Sequence, residues 1–144
     1  MSLPYSNIEE KCEIAAARHL NGIVASRLVG VTIRAGLDNA ELPLPNVVCL
    51  ATGAEEHIYA SGNYVVDLSI EIQSSISDTT ASTHGARVAA VRDEFMNDWV
   101  GASLSNQGVT DFSAVGIVTQ RETRQITDDH WITIIPMNIY CRPS

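Results

Sequence analysis

The chain has 144 residues, of which 45% are hydrophobic and 18% charged, with 9 Gly and 5 Pro, too apolar and too mixed for disorder and too short for two separate cores. We therefore expect one domain over residues 1–144. A formal net charge of -8 excludes a general phosphate-backbone binder, which draws its affinity from clustered cations.

No run approaches the roughly 18 consecutive apolar residues that span a bilayer. The start, MSLPYSNIEEK, lacks a basic region followed by an apolar one, so a soluble chain without secretory signal or membrane partner is expected. Cys12, Cys49 and Cys141 are widely separated and odd in number, which suits neither a disulfide framework nor a CxxC metal knuckle and fits a reducing compartment. Eight of the nine cations are Arg. Arg tolerates desolvated, bidentate contacts at interfaces, and it also serves on ordinary surfaces.

In chain order, Ser6-Asn7-Ile8-Glu9 has the form of a capping box. The apolar stripe Ile8, Cys12, Ala15, Ala16, His19, Leu20, Ile23 and Val24 predicts a first helix over residues 6–28. Residues 31–35 read as a short strand. Residues 36–46, with one Gly and two prolines, form a projecting loop. Residues 47–51 form a strand interrupted at 53–57, and a turn at 61–63 leads to a cleanly alternating strand over 64–74. There Tyr64, Val66, Leu68, Ile70 and Ile72 face a core, and Asp67, Ser69, Glu71 and Gln73 face water or a partner.

A turn-rich stretch precedes a second helix over residues 79–104, carried by Val88, Val91, Phe95, Trp99 and Ala102. Residues 112–124 and 130–141 are expected to pair as one long antiparallel hairpin. Its second strand is apolar on both faces, which predicts a central strand or one at a subunit contact. Helices and strands without βαβ alternation indicate an α+β fold, a mainly antiparallel sheet with two helices packed on one face.

Chemistry is scarce. There is no GxSxG, no recognisable nucleophile with its base, and no GxxxxGK[ST] or GxGxxG loop. His19, His57, His84 and His130 form no HxH or HxxxH pair, so isolated structural or exposed histidines are preferred over a metal site. The acid pairs Glu55-Glu56 and Asp128-Asp129 fall in predicted turns, where solvated carboxylates outweigh a general acid-base couple. The acidic strand face and the cations Arg121 and Arg124 read equally well as a solvated surface and as matching sides of a subunit interface.

Four features resemble the tail terminator proteins of long-tailed bacteriophages: Leu42-Pro43-Leu44-Pro45 leading into Val47-Val48-Cys49; the strand from Tyr64 to Ile72; the helix from Thr83-His84 to Phe95 and Trp99; and the closing hairpin from His130-Trp131 to Cys141-Arg142-Pro143. Related neck and minor tail proteins share much of this pattern. The resemblance implies a non-enzymatic virion protein without cofactor or metal. It would form a ring, expected to be a hexamer, at the head-proximal end of the tail, assembled in the host cytoplasm. Its implied partners are copies of itself, the tail tube protein and the head-completion or stopper protein. DNA would pass through without specific binding, and an acidic lumen would avoid trapping it.

In that reading Asp67 and Glu71 are lumen or intersubunit residues, and Arg121 and Arg124 are their partners or contacts to the next ring. Leu42, Pro43, Leu44, Pro45, Glu55 and Glu56 are the candidates for touching tube or connector, since loops on a rigid sheet usually carry recognition. The alternatives are another neck or head-completion protein of the same build, and a small enzyme or ligand-binding domain using His130 and nearby acids.

Overall fold

The computed structural model describes residues 8–36, 42–56, 63–77, 79–96, 100–109, 112–127 and 129–142. The expectations for Ser6, Asn7, His57, Trp99, Asp128 and Pro143 fall outside these.

The helix α1 (Ile8–Asn21) presents Cys12, Ala15, Ala16 and Leu20 to the core, with Glu9 and Glu10 in its first turn and Arg18 in its last, which complements the helix dipole. It ends seven residues earlier than the predicted limit at Leu28. Gly22 follows Asn21, and Gly is among the weakest helix formers. Beyond it the chain turns in short steps: Gly22 N–H donates to the His19 carbonyl, and Arg27 and Leu28 both donate to Ile23. Leu28 and Val31 still reach the core, so the apolar spacing continued although the helix did not.

The strand β1 (Thr32–Ala35) runs parallel to the start of β2 (Asn46–Glu56). The predicted interruption at residues 53–57 is a register shift between Ala51 and Gly53 inside one continuous strand. β2 pairs antiparallel with β3 (Tyr64–Ser75), which pairs antiparallel with β6 (His130–Arg142). The first run of the predicted hairpin is two strands, β4 (Ser113–Thr119) and β5 (Thr123–Ile126), laid end to end along β6. Pro136 explains the break. Its carbonyl accepts from Gln120 N–H at 2.8 Å, but proline has no N–H to return. The sheet order is β1-β2-β3-β6-β4, with β5 also on β6, so the predicted central position of the last strand holds.

Between the β-strands lie α2 (Ala81–Phe95) and α3 (Val100–Ser105), in place of the single helix predicted over 79–104. Thr80 caps α2, its side chain accepting from Thr83 N–H at 3.2 Å. The end of α2 is held by His19, whose Nε2 lies 2.9 Å from the Glu94 carbonyl and Nδ1 2.7 Å from Ser103 Oγ. One side chain of α1 thus ties the last turn of α2 to α3.

The helices cover one face of the sheet. Val47, Cys49, Val66, Leu68, Ile70, Ile72, Ile135, Met137 and Ile139 point into one buried cluster with Leu20, Val91 and Phe95, each large aliphatic side chain contributing about 1.5–3 kcal/mol by leaving water. Among the described residues no helix covers the other face. Ile132, Ile134 and Tyr140 are only half-buried there, where the sequence suggested burial on both sides. The fold is α+β, as expected, with three helices among the described residues.

Candidate interaction surfaces

Register assigns each candidate residue to a face and an end of the sheet. Asp67 lies opposite Asn138 and Gly53, and Glu71 opposite Ile134 and Val48, so both stand on the face without helices, as their alternation predicted. Glu71 accepts from Gln73 Nε2 at 2.9 Å. The buried Val48 and the half-buried Leu50, Val65, Ile132, Ile134 and Tyr140 share this face, so acids are interleaved with apolar groups.

Arg124 is elsewhere. It lies opposite Thr133, whose side chain is buried on the helix-covered face, so within one chain the sheet separates it from Asp67 and Glu71. Arg121 is exposed in the step between β4 and β5. The intervening Glu122 is paired with Arg92 of α2, Oε1 to Nη2 2.6 Å.

The Pro-rich segment and the acid pair occupy opposite ends of the sheet. Leu42, Pro43, Leu44 and Pro45 lead directly into β2, where Thr32 N–H donates to the Pro45 carbonyl at 3.1 Å and Asn46 Nδ2 to the Pro43 carbonyl at 3.5 Å. Glu55 and Glu56 are exposed at the far end of the same strand, opposite Val65 and Tyr64. Their predicted turn is strand, which puts the two carboxylates on alternate faces.

A polar cluster that sequence reasoning missed surrounds His84. Its Nδ1 is 2.8 Å from Ser74 Oγ and its Nε2 3.0 Å from Thr133 Oγ1. Arg87 Nη1 donates to Ser74 Oγ at 2.9 Å. Burial lowers the His84 pKa, and the cations of Arg87 and Arg124 lower it further, so the ring is held neutral between two hydroxyls that can each donate or accept. Trp131 stacks on His84 with ring centroids 6.4 Å apart and donates Nε1–H to the Thr79 carbonyl at 3.1 Å. Beside this cluster a cavity of about 360 Å³ opens between α2 and the β5-β6 pair, lined by Val88, Arg92, Arg124, Ile126 and Trp131 among others. Only the fold brings residues 74, 84 and 133 together, and no local motif announces them.

His19, His130, the three cysteines and Glu13 serve packing, turns and strand edges. His19 meets Phe95 edge-on, with ring centroids 5.4 Å apart. His130 is not in the cavity wall; its N–H donates to Thr127 Oγ1 at 3.0 Å and closes the turn before β6. Burial pushes the thiols of Cys49 and Cys141 up to about 12 and raises that of Cys12 as well, which leaves them unreactive. Burial also raises the Glu13 carboxyl, against the opposing pull of a hydrogen bond from Ala51 N–H at 2.7 Å. Among the described residues no three His, Cys, Asp or Glu side chains converge as a metal site would require, and no helix is long and apolar enough to cross a membrane.

No family model and no curated protein matches the chain. Among solved structures, the chain is similar to one in the virion of a native gene transfer agent particle, with a TM-score of 0.55 and 16% sequence identity, over 89% of this chain and 93% of that one. At that identity the likeness is one of fold, and it extends over nearly the whole of both chains.

Proposed function

We propose that this chain is a structural protein of a phage-like virion, acting as the tail terminator. It would form a ring at the head-proximal end of the tail, six copies in the implied form, that stops growth of the tail tube and presents a docking surface to the head-completion protein. The observation that carries the reading is the shared fold with a chain of the gene transfer agent virion over 89% and 93% of the two lengths. That likeness supports the virion role, and the sequence resemblance supports the terminator role within it.

The surface chemistry is compatible. The Pro-rich segment leads into β2 at one end of the sheet, where it gives a ring subunit a contact region for the tube or the connector. A face carrying Asp67 and Glu71 on a chain of net charge -8 would let DNA pass without capturing its phosphates. Nothing in this reading calls for an active site, a metal or a cofactor.

The test is to mix the purified protein with polymerising tail tube subunits and measure tube length by electron microscopy. A closed oligomer seated on tube ends, with tubes of limited length, is the expected result. Unrestrained tubes with bare ends overturn the terminator role. If the same oligomer then binds the connector alone, the protein belongs with the head-completion and neck proteins.

A further inference from the structure

An unpaired strand edge exposes a row of backbone N–H and C=O groups, and proteins either cover such an edge or use it to join another chain. Two edges here are covered by side chains. Ser105 Oγ accepts from Ala114 N–H at 2.9 Å and donates to the Ala114 carbonyl at 3.2 Å, closing part of β4. Glu13 accepts from Ala51 N–H on β2.

β5 has no such cover among the described residues. It pairs with β6 alone, all four of its residues are exposed, and Ile126 is 68% exposed. At the other margin of the sheet, β1 flanks β2 only as far as Cys49. Beyond that point no second strand lies beside β2 among the described residues. The two edges belong to opposite margins, so one copy cannot join them to each other.

They do match between copies. β2 is antiparallel to β3, β3 to β6 and β6 to β5, so β2 runs opposite to β5. A β2 end laid against β5 of a similarly oriented neighbour therefore continues the sheet in antiparallel sense. The charges are opposite, with Glu55 and Glu56 on the β2 end and Arg121 and Arg124 at β5. The faces agree too: Arg124 is in register with Thr133, and Glu56 with Tyr64, both on the helix-covered side. Joining one margin to the other is a head-to-tail contact, the kind that closes into a ring when its rotation permits.

We propose that adjacent copies of this chain are joined edge to edge, β5 of one to residues 53–56 of β2 in the next, with Arg121 and Arg124 facing Glu55 and Glu56. This rests on the ring reading above and names the contact that builds the ring. It replaces the pairing of Arg124 with Asp67 or Glu71, which lie on the other face, and the reading of Glu55 and Glu56 as tube or connector contacts.

The experiment compares the full-length chain with Arg121→Glu/Arg124→Glu and with Glu55→Arg/Glu56→Arg by light scattering and sedimentation, circular dichroism serving to show that each variant is folded. The wild type is expected to form a closed oligomer and each variant to lose it. An equimolar mixture of the two variants restores it, because every junction again joins opposite charges. Hydrogen exchange should slow at residues 53–56 and 123–126 in the oligomer alone. A wild-type ring with both variants assembling normally overturns the edge contact and leaves the ring standing. Variants that lose the ring but are not restored by mixing overturn the pairing of these two edges. A wild type that stays monomeric overturns the ring reading and this contact with it.

Discussion

His84 Nε2 lies 3.0 Å from Thr133 Oγ1, so the first turn of α2 is pinned to β6, while the other nitrogen of the ring holds Ser74 at the end of β3. One side chain therefore sets how α2 sits over the two central strands, and with it the cavity between α2 and β5. Replacing His84 with Ala should take from Thr133 its hydroxyl's partner, leave Ser74 to Arg87, and open a void beside Trp131. We expect a loss of about 3 kcal/mol, read as a lowered urea midpoint with unchanged m-value.

Acidification should destabilise the protein through the same residue. Folding lowers the His84 pKa below its ordinary 6.5, so the unfolded chain binds the extra proton more readily. The resulting stability is present above pH 6.5 and is lost as the pH falls from there toward the folded value. His84→Gln removes this titration. The difference in unfolding free energy between wild type and variant should shrink below pH 6.5 and be constant above it; a difference independent of pH would refute the assignment.

Glu13 carries the opposite sign. Burial raises its carboxyl pKa, so the folded state holds the proton more readily, and stability from this group falls as pH rises through the carboxylate range. Glu13→Gln keeps an acceptor for Ala51 N–H without the charge. It should be as stable as the wild type in acid and more stable at neutral pH, whereas Glu13→Ala should lose stability by exposing the β2 edge. Thermal unfolding at pH 4 and pH 7 distinguishes them.

Ser105 closes both backbone groups of Ala114. Ser105→Ala should cost about 1–2 kcal/mol and speed amide exchange at Ala114 and its neighbours in β4. Unchanged exchange would mean that water serves the edge as well as the hydroxyl does.

The Pro-rich segment gives a functional test independent of ring formation. Leu42→Ser/Leu44→Ser should abolish binding to tube ends in co-sedimentation while leaving the mass of the oligomer unchanged, since the segment lies at the other end of β2 from Glu55 and Glu56 and is separated from β5 by the strands β2, β3 and β6. Full retention of tube binding would remove this segment from the contact.

Much of the fold was legible in the chain because its signals are local. The alternation from Tyr64 to Ile72 needs only the two-residue period of a strand with one buried face, and it assigned Asp67 and Glu71 to the open face correctly. The stripe Cys12, Ala15, Ala16, Leu20 needs only the helical period. Where a helix or strand stops was read less well. Helical spacing carried on past Gly22 because Ile23, Val24 and Leu28 pack from turns, and the paired run to residue 124 looked unbroken because Pro136, which interrupts it, lies in the partner strand.

Neighbours a few residues apart thus specify the element types, the α+β class and which β3 side chains face away from the helices, since each depends on local spacing. That Ser74, His84 and Thr133 meet, that Arg124 and Asp67 stand on opposite sides of the sheet, and that the β5 and β2 edges lie at opposite margins is legible in the folded arrangement alone. Those relations follow from strand order and register. They are set by the joint burial of all the apolar faces, and no short window of residues contains that information.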